Sequence, residues 1–63
     1  MSVNQSIQAF LAATEKKFGR AVREQTVIKH AGGVQVVLQR PNMKESITDL
    51  GSLRLMTRQM LSI

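Results

Sequence analysis

Arg23, Gln25, Lys29, Gln35 and Gln39 stand at odd-numbered positions on either side of Gly32-Gly33. Alternate residues of a strand project to one face. A hairpin folded at the two glycines would therefore gather these five polar side chains on one surface. Their chemistry suits nucleic acid: Gln can bond the edge of adenine, Arg and Lys that of guanine, and a two-stranded ribbon fits the major groove. Just before them, Lys16, Lys17 and Arg20 form with Arg23 the densest positive run in the chain. That run reads as a corner for phosphates, and equally as a solvated helix end, because last-turn lysines complement the helix dipole.

Other chemistry is not expected. His30 has no nucleophile near it in sequence, and a single histidine without cysteine does not build a metal site. Gly32-Gly33 is no phosphate loop, since that loop needs GK[ST] opening a helix and strand-forming residues follow here. Ser46, Thr48, Asp49 and Ser52 read as helix caps, and the four methionines as core filler or pliable contact surface. The expectation is a non-enzymatic binding protein with no cofactor.

Positioning the polar set requires a hairpin over residues 22–40. Thr26-Val27-Ile28 and Val34-Gln35-Val36-Val37-Leu38 are rich in branched side chains, which favour the pleated sheet. A two-residue Gly32-Gly33 turn would set Lys29 opposite Val36, on the apolar face. A three-residue Ala31-Gly32-Gly33 loop with Gly33 at positive φ is better. It pairs His30 with Val34, Ile28 with Val36, Thr26 with Leu38 and Glu24 with Arg40. One face is then apolar; the other carries the polar set plus Val27 and Val37. Pro41 ends the second strand because it has no N–H to donate.

Residues 1–19 read as an amphipathic helix. Ser2 and Gln5 have capping-box spacing, Ile7, Phe10, Leu11, Thr14 and Phe18 form one stripe, and Gly19 suits the C-terminal cap. Beyond the hairpin, Asn42 with Glu45, or Ser46 with Asp49, can cap a second helix. Its apolar positions fall into two stripes, Met43-Ile47-Leu50 and Leu53-Met56-Met60-Ile63, rotated from one another. A break is expected near Gly51-Ser52. The fold class is therefore α+β in one domain, in the order α-β-β-α: a two-stranded antiparallel hairpin packed against two helices. A third strand over residues 45–50 ranks below this arrangement.

Sixty-three residues form one small domain, burying only ~60% of the unfolded surface. Without disulfide or metal, self-association is the remaining staple. A homodimer is expected through Leu53, Met56, Met60 and Ile63. Nine Lys and Arg against four Asp and Glu give a net charge of +5 and a pI near 10.9, a balance that suits polyanions or acidic proteins. No apolar run is long enough for a membrane span, no basic and apolar leader opens the chain, and absent cysteine fits a cytoplasmic protein.

Two functions follow as expectations. The first is a regulatory protein binding nucleic acid through the hairpin face and the basic corner, as a homodimer. The second is a protein-binding inhibitor or adaptor, of the size common in phage and plasmid genomes. It would dock on a larger machine through a hairpin edge or the Met/Leu-rich C-terminal helix.

Overall fold

A computed structural model describes residues 2–62. The chain is α+β, with two helical segments followed by a three-stranded antiparallel meander and a last helix. Helix α1 spans Val3–Phe18. Its start is fixed locally, as the Ser2 hydroxyl accepts from the Gln5 N–H at 3.1 Å and the Gln5 side chain accepts from the Ser2 N–H at 2.9 Å. Its end is fixed at Gly19, whose φ of 100° lies where a side chain would be strained.

The chain then turns directly into a short helix, α2 (Arg20–Gln25). The hairpin therefore does not begin at residue 22, and the expected Glu24–Arg40 pair does not exist. Thr26 is held instead by its hydroxyl, which donates to the Val22 carbonyl at 2.7 Å. The i→i−4 bonds of one more helical turn satisfy this stretch better than a strand whose partner would be the residues next to Pro41.

Strand β1 spans Val27–Gly32 and β2 spans Gln35–Gln39. Ile28 faces Leu38, His30 faces Val36 and Gly32 faces Gln35, with the extra residue Ala31 bulged between the last two pairs. Gly32 and Gly33 both take positive φ, and His30 Nε2–H donates to the Gly33 carbonyl at 2.9 Å. The register is thus two residues from the expected one, with the turn at Gly33-Val34. A two-residue shift leaves every side chain on its own face. Face alternation therefore identified the faces but could not separate these two registers.

A third strand, β3 (Ser46–Asp49), pairs with β2 and sets Ile47 against Val37 and Thr48 against Val36. The two-stranded hairpin is corrected by this addition. Residues 43–49 are not helical, and Asn42 caps nothing: it holds φ 62° in the β2–β3 connection, a conformation that Asn tolerates. Helix α3 (Leu50–Leu61) follows β3 at once, with Asp49 as its cap through a 2.7 Å bond from the Ser52 N–H. The two apolar stripes differ because one lies on the connection, strand and helix start, the other on the helix. Gly51 sits in the first turn of α3 and breaks nothing.

Helices α1 and α3 pack together on the even-numbered face of the sheet. Phe10, Val36, Leu38 and Leu53 form the buried centre, ringed by Ile7, Ile28, Leu50, Met56 and Met60. α1 must meet both the sheet and α3, so its buried side also takes in the small residues Ser6 and Ala13, while Phe18 is 53% exposed. Small side chains let two helix backbones approach. At the open end, the Arg40 guanidinium covers the Phe10 ring at 5.1 Å.

Candidate functional site

The odd-numbered face of the sheet is bare of helices. It carries Val27 and Lys29 from β1, Gln35, Val37 and Gln39 from β2, and Ile47 from β3, with Lys29, Val37 and Ile47 in one row. Val27 is 45% and Ile47 67% exposed. The face is more apolar at its centre than the sequence implied, because β3 adds Ile47 beside Val37.

The expected hairpin set is dispersed. Arg23 and Gln25 lie on α2, not on the ribbon. Arg23 Nε meets Glu15 at 3.5 Å and Arg20 Nε meets Glu24 at 3.7 Å, so half of the basic corner faces acid. Gln39 gives its amide N–H groups to the carbonyls of Arg40 and Met43, which fastens the β2–β3 connection and leaves it no donor for a base. Lys29 and Gln35 remain exposed on the sheet face.

Lys16 and Lys17 are exposed in the last turn of α1 and form no ion pair among the described residues. They border Met60, Leu61 and Ser62 at the end of α3. The preceding turns of α3 expose Arg54 and Arg58, four residues apart on one side of the helix with Leu55 between them. Arg54 Nε donates only to the carbonyl of Leu50, 3.4 Å away. Among the described residues no carboxylate pairs with any of these four cations. From Arg54 to Ser62 the helix advances about 12 Å at ~1.5 Å per residue. Arg54 and Arg58 thus lie along α3, and Lys16 and Lys17 beside its last residues.

The expected dimer contact loses Leu53. Leu53 is 0% exposed and belongs to the core of its own chain, and Met56 and Met60 are half-buried against that core. Ile63 lies outside the described residues. Leu53 therefore has no surface left for a second protomer, while Met56 and Met60 keep part of theirs.

Asp49 has its carboxyl held below its ordinary 3.8, first by the backbone N–H of Ser52 and next by the Ser52 side chain. Among the described residues no three His, Cys, Asp or Glu come together as a metal site would require. No helix is long and apolar enough to cross a membrane.

Arg54 and Arg58 were absent from the expected site. Their i,i+4 spacing was readable, but only a helix that starts at Leu50 sets them on one side of α3, whose end borders Lys16 and Lys17. The chain matches no family model, no curated protein and no solved structure.

Proposed function

We propose that the protein binds duplex nucleic acid through its phosphates, using Lys16, Lys17, Arg54 and Arg58 on the helical layer. One observation carries this reading: on a net +5 chain, four exposed cations lie along α3 or beside its end, and among the described residues no carboxylate pairs with them. A duplex presents a charge per ~1.7 Å of axis, so cations spread along α3 meet several phosphates at once. Gln35 is on the open sheet face and Gln39 is engaged, so neither of the amides expected to read bases reaches this site. Recognition is therefore of the backbone, independent of sequence.

Self-association belongs to the same proposal, moved from the C-terminal stripe to the open sheet face. A core of five buried apolar residues leaves Val27 and Ile47 bare on that face. Covering them with a second copy would add apolar burial and set two basic surfaces on opposite sides of a dimer.

Fluorescence anisotropy of a labelled duplex, titrated at several salt concentrations, tests the binding. Four contacts per protomer give a log K against log salt slope of about −3 to −4. Binding independent of salt would count against the reading. Capture of an acidic protein with no affinity for duplex would favour the adaptor reading instead.

A further inference from the structure

The helical layer leaves one edge of the sheet uncovered. α3 meets β3 only sparsely, near the junction that joins them, and Leu53 carries its packing onto Val36 and Leu38 of β2. On the inward face of β3, where a covered strand would carry apolar side chains, the chain has Ser46 and Thr48. Ser46 is exposed and Thr48 half-buried. With Arg40 and Lys44 of the β2–β3 connection they line a cleft of about 270 Å³, walled on its apolar side by Leu38 and Met56.

Both cations of this cleft lack an acid. Arg40 lies over Phe10, and its Nη2 meets only the sulfur of Met56 at 4.0 Å. No carboxylate pairs with Arg40 or Lys44 among the described residues. Asp49, at the end of the same strand, is on the other face and caps α3. The Gln39 amide holds the connection that carries both cations, through the carbonyls of Arg40 and Met43.

We infer that this cleft is a binding site for a phosphate monoester. A guanidinium offers two parallel N–H groups to two phosphate oxygens, an ammonium adds a point charge, and two hydroxyls serve the third oxygen. Two positive charges balance the roughly −1.5 to −2 of a phosphomonoester at neutral pH better than they balance a carboxylate. The cleft is open to solvent on one side, and its mouth admits a phosphoryl group with carbons behind it. Leu38 and Met56 receive the carbons. The phosphoryl group can come from a small phosphorylated molecule or from the 5′ end of a nucleic-acid strand; only the second source rests on the function proposed above.

The test is an NMR titration of the isotope-labelled full chain with phenyl phosphate, at a pH above its second ionisation near 6. Saturable shifts at Lys44, Ser46 and Thr48 are expected. Phenyl sulfate, with a single charge, should bind several-fold more weakly. Lys44→Ala, an exposed change that spares the fold, should weaken phenyl phosphate roughly tenfold, the effect of one charge-assisted contact. Arg40→Lys should weaken it as well while keeping a cation at the core edge. Shifts that never saturate, or that fall equally on Lys16, Lys17, Arg54 and Arg58, would overturn the site. A second arm compares duplexes whose overhangs carry or lack a 5′-phosphate. Tighter binding that needs the phosphate and disappears in Lys44→Ala assigns the site to strand ends. Equal duplex binding, with saturable phenyl phosphate shifts, assigns it to a free phosphomonoester. Loss of all duplex binding with those shifts intact would count against the nucleic-acid function and leave this site standing.

Discussion

The two faces of the sheet have the same strands and opposite fates. The inner face meets α1 and α3, and there Val36 and Leu38 are 0% and 5% exposed. The outer face meets no helix and leaves Ile47 at 67% exposure, although Ile47 is as apolar as they are. The difference is not one of strand propensity. It comes from which parity of residues the helices cover, and it separates the residues that hold the fold from those free to meet a partner.

The sharpest way to break that comparison is to delete an apolar side chain from each face. Leu53→Ala or Phe10→Ala should cost about 3–5 kcal/mol. A chain of this length has only about 3–9 kcal/mol in total, so chemical denaturation followed by circular dichroism should find these variants largely unfolded. Ile47→Ala, measured at a concentration where the chain is monomeric, should stay within about 0.5 kcal/mol of the parent. Equal losses from Ile47→Ala and Leu53→Ala there would mean that the outer face is covered within one protomer.

A charge on the outer face sharpens the contrast further. Ile47→Lys and Val27→Lys should abolish concentration-dependent sedimentation and, with it, the concentration dependence of the denaturation midpoint. Association that persists in both variants would move the dimer contact off the sheet.

Smaller effects are expected at the seams between the faces. Gln39→Ala removes the donor that holds the β2–β3 connection and should cost about 1 kcal/mol, read as a lower denaturation midpoint. Asp49 should give the smallest change. Its carboxyl is held below 3.8 in the folded chain by Ser52, so its contribution is present above the unfolded value and is lost as pH falls through the folded one. Asp49→Asn keeps an oxygen for the cap without the titration. Its stability should therefore fall less steeply than the parent's in acid below pH 3.8.

The α1 half of the chain was legible because its signals are local and agree. Ser2, Gln5 and Gly19 mark its ends with bonds inside the helix itself, and no distant strand is needed to explain them. The segment from Asn42 to Ser52 was not legible in the same way. Asn42-Glu45 and Ser46-Asp49 have capping spacing, yet pairing with β2 makes Ser46–Asp49 a strand, and the cap that forms is Asp49 to Ser52. The change of apolar stripe was visible, and it fell within two residues of the true boundary at Asp49-Leu50. Whether it marked a kink or a strand-to-helix junction depended on a partner far along the chain. The candidate site shared this dependence. Lys16 and Lys17 could be read from the sequence, whereas Arg54 and Arg58 depended on where α3 starts. Arg23 and Gln25 were misplaced because α2 continues one helical segment where a strand was expected.

The most direct measurement compares the salt dependence of duplex binding in Arg58→Ala and Arg23→Ala. Arg58 is in the proposed site and pairs with no carboxylate among the described residues, whereas Arg23 is already spoken for by Glu15 at 3.5 Å. Each phosphate contact contributes about −0.9 to the slope of log K against log salt. Arg58→Ala should shallow that slope by about 1 and weaken all duplex sequences alike, while Arg23→Ala should leave both nearly unchanged. A slope unaffected by Arg58→Ala but shallowed by Arg23→Ala would contradict the account, and would return the binding surface to the helix–strand corner.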